Sequence, residues 1–150
     1  MDINLIFNFA NLFVLPFWGL MIFLPNWGIT KKVMKSYIPF VILAGIYIYY
    51  FSGSLDPESV KVLSNPNLDD LAGVFAKPII TATGWTHFLI MDLFVGRWIY
   101  WQGQEKQILT IHSISLCLFA GPLGLLSHIV TIAIKEIFFS NPNLTEAKGE

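Results

Sequence analysis

In the stretch GWTHFLIMDLFVGRWIYW, residues 84 to 101, three ionisable side chains, His87, Asp92 and Arg97, interrupt an otherwise apolar run. Such a run is long enough to cross a bilayer, where an ionisable group near the centre costs at least ~2.5–3.5 kcal/mol and marks a functional site by default. If the helix is centred near Ile90, Asp92 lies about 3 Å and His87 about 4–5 Å from the midplane, with Arg97 roughly 10 Å off. Arg97 can snorkel to the interface from there; Asp92 cannot. At about 100° per residue Trp85, Asp92 and Gly96 share one face, and His87, Met91 and Trp98 another. Asp92 and His87 are therefore not an intrahelical pair, and each needs a partner from another helix or a polar cavity. Asp92 either acts on a ligand or is a hydrogen-bonded carboxyl that fastens helices together.

Partners are sought on the following segment. A hairpin about Gly103 brings Arg97 near His112, a structural contact, and Asp92 near Ser113 and Ser115. His87 falls beside Gly121, where LFAGPLGLLSH breaks the helix at Gly121, Pro122 and Gly124. A broken helix beside a buried His and Asp suits a binding site at the midplane, its freed backbone groups lining the cavity. Asn4, Asn8 and Asn11 form a polar stripe on the first apolar segment, and NLFV at 11–14 resembles DLFV at 92–95, an offset of 81. A parallel duplication with that offset would set Asn11 opposite Asp92 across the core. Asn11, Trp85, Gly121, Pro122 and Gly124 are accordingly the expected ligand-binding residues.

Other chemistries lack their residues. His87, His112 and His128 sit at three depths, no His-x-x-His or Glu-x-x-His pair exists, and the apolar spans hold no glutamate, so neither a metal nor another cofactor is expected. There is no nucleotide loop, no G-x-S-x-G and no cysteine pair; Cys117 alone reads as an inert core thiol. A net charge of -1 argues against nucleic acid as a partner.

The elements that must position these residues follow from composition. At 55% hydrophobic and 13% charged, the 150 residues lie far from the soluble average of about 25% charged. The expected fold is all-α: a single integral membrane domain, a bundle of four transmembrane helices near 4–24, 36–52, 79–101 and 108–134, with a polar tail at 140–150. Between spans two and three, LDDLAGVFA reads as a short interfacial helix opened by Asn67, or an ordered loop. Lys31, Lys32, Lys35, Arg97 and Lys106, five of nine basic residues, orient the first and third connections to the cytoplasm and both termini to the other side. The first span lacks signal-peptide features and no Arg- and Ser-rich transit segment precedes it, which suggests a bacterial or organelle-encoded product. Aromatic side chains supply flat surfaces for a polyene or acyl chain, or belts at the membrane interfaces.

FNFANLFVLPFWGLMIFLPNW, GWTHFLIMDLFVGRWIYW and LFAGPLGLLSH resemble the ABA4-like membrane family, which contains the plant neoxanthin synthase. The resemblance runs from about Phe7 to Phe139 and implies a carotenoid, or another long apolar molecule, as ligand in the lipid bilayer. Lack of a transit segment makes the chain look like a cyanobacterial member of that family, in the thylakoid or plasma membrane. Opening an epoxy-xanthophyll to an allenic alcohol is an isomerisation that needs an acid and a base but no obligatory metal. We assign Asp92 as acid and His87 as base. The alternative is a non-catalytic carotenoid-binding or photoprotective protein, and the assembly is expected to be a homo-oligomer or a photosynthetic membrane complex.

Overall fold

The computed structural model describes residues 2–139, so the polar tail at 140–150 lies outside the described residues. Every regular element among the described residues is helical, in eight helices. Helix α1 (Ile3–Phe23) is capped by Asp2, whose carboxylate accepts from Asn4 N at 2.9 Å, and carries Pro16 in its interior. A tight turn leads to α2 (Gly28–Lys35), which meets α3 (Ile38–Gly53) at a 43° bend. Pro39 stands in the first turn of α3, where its missing N–H has no helical partner to lose. A helix not read from the sequence, α4 (Pro57–Ser64), capped by Asp56, precedes the short helix expected over LDDLAGVFA, which is α5 (Leu68–Phe75), capped as expected by Asn67. Helix α6 (Pro78–Lys106) runs 29 residues and stops at Gln107, whose φ of 51° ends the helix in the left-handed region.

Helices α1 and α6 lie side by side and run the same way: Trp85 meets Asn11, Trp18 packs on Gly96, and Tyr100 donates to the Pro25 carbonyl at 2.8 Å. A Cβ at position 96 would come within 2.5 Å of the Trp18 ring, so glycine sets this close approach. The α1 stripe Ala10, Val14, Trp18 and Met21 supplies the core with Leu43, Leu93 and Ile99. Helix α3 runs the opposite way along another flank of α6, with Ser54 and Thr83 hydroxyls 2.9 Å apart at one end and Phe40 against Phe94 nearer the other.

The segment expected as one span over 108–134 is two helices. Helix α7 (Ile111–Phe119) runs in, the chain turns at Ala120, and α8 (Gly121–Phe139) runs back beside it. His112 Nε2 lies 2.9 Å from Thr131 Oγ1 and the Ser113 and Ser127 hydroxyls lie 3.0 Å apart, pairs that only an antiparallel fold-back brings together. A Cβ at Gly124 would overlap Cys117, with the Cys117 backbone N and Cα both at 2.6 Å, so the two helices touch backbone to backbone there. By length and composition α1, α6 and α8 can each cross a membrane, and the bent pair α2 and α3 would make a fourth.

Candidate functional site

Asp92 stands midway along α6, where the first residues of α8 meet it. A helix beginning at Gly121 leaves its first N–H groups without intrahelical partners. Leu123 N and Gly124 N reach the Ala120 carbonyl at 3.0 and 3.1 Å, and Pro122 has no N–H. Ala120, at the capping position, has no side chain that could accept a hydrogen bond. The remaining N–H, on Gly121, lies against the Asp92 carboxylate, so α6 sets a carboxyl at a helix start where α8 has no capping side chain of its own. The approach requires glycine, because a Cβ at 121 would collide with Asp92 Oδ1. The Asp92 backbone carbonyl accepts from Cys117 Sγ at 3.3 Å, tying α7 to the same point.

Around this carboxyl lies a cavity of ≈ 550 Å³ lined by Asn11, Trp85, Asp92, Gly121 and Pro122, with an apolar wall that includes Leu12, Leu15, Phe88 and Phe119. Asn11 donates to the Phe7 carbonyl at 2.8 Å, which turns its Oδ1 towards Trp85 Nε1, also at 2.8 Å. Asn11 and Asp92 thus share one cavity on directly packed helices, but Asn11 is committed to Trp85, two turns nearer the start of α6. Asn4 and Asn8 of the same stripe are exposed. Gly124 lies outside the cavity lining, against Cys117.

His87 opens elsewhere. It lines a second cavity of ≈ 260 Å³ with Tyr47, Phe51, Phe75 and Gly84, its ring centroid 6.1 Å from that of Tyr47. Five residues along a helix is about 140° of rotation, which carries His87 to the α3 flank of α6, away from the expected Gly121; Phe88 borders both cavities. Arg97 does not meet His112. Its Nε donates to the Met34 carbonyl at 2.5 Å, and its guanidinium lies 4.4 Å from the Tyr37 ring centroid and 5.5 Å from that of Phe40. A cation at the last carbonyls of α2 is favoured by the helix dipole. His112 pairs with α8 instead because α7 turns back before it can run beside α6 for a full span. His128, fully buried on the inner face of α8 and edge-on to Trp98 at 5.3 Å, has no hydrogen-bond partner among the described residues. Among the described residues no three His, Cys, Asp or Glu side chains gather as a metal site would require.

The apolar rim, Leu12, Leu15, Phe88 and Phe119, was not read from the sequence. Its signal is only that Leu12, Leu15 and Phe88 fall on the helix faces already carrying Asn11 and Asp92. A carboxyl, an amide–indole pair and one backbone N–H in an otherwise apolar cavity of this size can bind an elongated apolar molecule and hydrogen-bond one polar group on it.

Comparison with known proteins adds sequence kinship. The family model described as ABA4-like, ABA DEFICIENT 4-like, matches residues 5–128. Protein ABA DEFICIENT 4, chloroplastic, of Arabidopsis thaliana is 41% identical over 134 residues, 86% of this chain; the match spans 61% of that protein's length. No solved structure matches.

Proposed function

The chain belongs to the ABA4-like family, and from that premise we propose that it is an integral membrane protein of a thylakoid or plasma membrane that processes a carotenoid, as neoxanthin synthase does, by acid/base isomerisation. The observation that carries this reading is the Asp92 carboxyl in an apolar cavity of ≈ 550 Å³, beside the Gly121 N–H and the Asn11–Trp85 pair. Such a carboxyl gives a proton to an epoxide oxygen as the C–O bond breaks. As a carboxylate it then takes a proton from the polyene carbon, so protons balance with no net redox change. With His87 in the neighbouring cavity, one carboxyl serves both steps, and His87 acts as base only on a ligand that bends around Phe88.

A second reading, a carotenoid-binding protein without turnover, draws support from the capping role of Asp92, which gives the carboxyl a purpose without chemistry. Asp92→Asn separates the two, because asparagine caps a helix about as well as aspartate but exchanges no proton. The variant should fold like the parent, bind the same pigments and convert none, as read by chromatography of pigments extracted from cells or after incubation with purified protein. Conversion unchanged in Asp92→Asn would remove Asp92 from the chemistry.

A further inference from the structure

The ends of α7 and α8 bear on how the site is reached. Helix α7 starts after the short turn that ends α6. Lys135, near the far end of α8, donates to the Lys106 carbonyl, and Glu136 lies 3.6 Å from Lys106 Nζ. The pair therefore leaves from and returns to the level of Lys106. Helix α8 begins at the level of Asp92 and runs in the same direction as α6: Gly121 sits on Asp92, His128 on Trp98, Glu136 on Lys106. From Asp92 to Lys106 is about 21 Å of helix, short of a hydrocarbon core of about 30 Å. We infer that α7 and α8 form a re-entrant hairpin whose tip stops at the depth of Asp92, so that the cavity above the tip is open sideways to one leaflet and takes its ligand from there.

Three observations carry this independently of what the ligand is. First, the fold-back pairs allow the hairpin no net crossing, so α1, the α2–α3 pair and α6 cross, and the first described residue lies opposite the last. Second, the charges agree. Lys31, Lys32, Lys35, Arg97, Lys106 and Lys135 then share one face with Glu105 and Glu136, whereas Asp2, Asp56, Glu58, Asp69 and Asp70 share the other with Lys61 and Lys77. This asymmetry is stronger than four crossings would give, and it directs the basic face to the cytoplasmic or equivalent compartment. Third, the cavity rim faces outward along the half of α1 and α6 that the hairpin leaves uncovered: Leu12 is 67% exposed, Leu15 51%, Phe88 57% and, at the tip, Phe119 85%.

A ligand that fits has one hydrogen-bonding end and a long hydrocarbon body. Its polar end rests on the tip at Asp92 and Gly121, and its body rises past Asn11 and Trp85 into the leaflet of the acidic face. This orientation rests on the carotenoid reading above; the hairpin and its open side do not. Peptide tags on the two termini of the full chain, probed with protease in sealed vesicles, test the hairpin: tags on opposite faces are expected, and tags on the same face overturn it. In nanodiscs containing phospholipids brominated along the acyl chain, the parent should lose more fluorescence than Trp85→Phe, by roughly the share of one exposed tryptophan among Trp27, Trp85 and Trp98, because Trp85 borders the opening; equal quenching overturns the lateral opening. All-trans-retinol, a polyene with a single terminal hydroxyl, then probes occupancy. Energy transfer to it should fall at least twofold in Trp85→Phe. Opposite tags and quenched Trp85 without retinol binding would uphold the hairpin and its opening, and count against the polyene reading alone.

Discussion

Gly121 and Gly124 stand one turn apart at the start of α8, and replacing each by alanine should have opposite consequences. In a helix alanine is favoured over glycine by about 0.8–1.0 kcal/mol. At 121 the obstacle is a carboxyl oxygen at the end of a side chain that can rotate. Moving it off its rotamer costs about 0.5–1.5 kcal/mol, and a carboxyl turned in place still offers an oxygen to the residue-121 N–H, so Gly121→Ala should melt within a few degrees of the parent. At 124 the new methyl meets the Cys117 backbone at 2.6 Å, against the 3.4–4 Å of ordinary contact, and neither helix can yield locally. Helix α7 must move away by about 1 Å, which stretches the Ser113–Ser127 pair, now 3.0 Å, past bonding range. Overpacking of this sort costs about 1–3 kcal/mol and the lost interhelical bond about 0.6, against the alanine gain of about 1. The net loss of about 0.6–2.6 kcal/mol lowers the melting temperature by roughly 1–10 °C at roughly 2–4 °C per kcal/mol. Thermal melts in nanodiscs followed by circular dichroism measure this, with pigment conversion measured in parallel. Gly121→Ala should keep its stability and lose conversion, because the carboxyl has been displaced; Gly124→Ala should lose stability first. A Gly124→Ala protein as stable as the parent would refute the packing of α7 on α8, and full conversion by Gly121→Ala would refute the Gly121–Asp92 contact as a working part of the site.

His128→Leu should leave stability within about 1 kcal/mol of the parent or raise it, since the buried imidazole has no hydrogen bond to lose and leucine removes its desolvation cost. A melting point lower by more than about 5 °C would show that the ring has a partner. Asp56 accepts from the Ser59 hydroxyl at 2.5 Å and the Ser59 backbone N–H at 3.1 Å, with Lys77 at 3.3 Å, and these partners, Ser59 foremost, hold its carboxyl down to about 2. A carboxyl depressed in the folded state stabilises it above the unfolded value of about 3.9 and ceases to as the pH falls through about 2. The protection of α4 amides against hydrogen exchange, taken relative to the intrinsic rate at each pH, should thus be unchanged from pH 7 to 5 and fall only below about 4; a fall near pH 6 would implicate another group.

How much of this was legible in the sequence depended on the kind of signal. Asp92 announced itself because one ionisable group in an apolar run is conspicuous whatever the fold, and Asn67 because a side chain that caps its own helix acts over three residues. The fold-back did not, because hydropathy sees 108–134 as one apolar block and cannot tell a crossing from a return. A subtler pattern was available: Ser113 and Ser127, and Cys117 and Gly124, stand at near-equal distances either side of Ala120, as the two arms of an antiparallel hairpin require. Arg97 was assigned to the wrong neighbour for the same reason, since its contact with Met34 joins segments far apart in the chain and depends on which flank of α6 each helix occupies.

The suspected duplication fails on this point. Its parallel direction for α1 and α6 holds, but Asn11 lies level with Trp85 and not with Asp92, and α3 is a single helix where the other half doubles back. Pro39 and Pro122 both begin helices. Pro39 does so after Ser36, whose hydroxyl accepts from Ile38 N at 3.1 Å, so the helix start satisfies itself. Pro122 follows Ala120, whose side chain can accept nothing and whose carbonyl is taken by Leu123 N and Gly124 N, and the start of α8 lies at the depth of Asp92. A helix can begin within hydrocarbon only if its free N–H groups find a partner, each unsatisfied group costing several kcal/mol. Asp92 is the group that meets Gly121, so the residue proposed for the chemistry is also the one that allows the hairpin to end at that depth. Asp92→Leu should therefore open the hairpin where Asp92→Asn does not. Protease should cut near residues 119–122 in the leucine variant and leave the asparagine variant intact; equal resistance in both would show that α8 is capped by something other than Asp92.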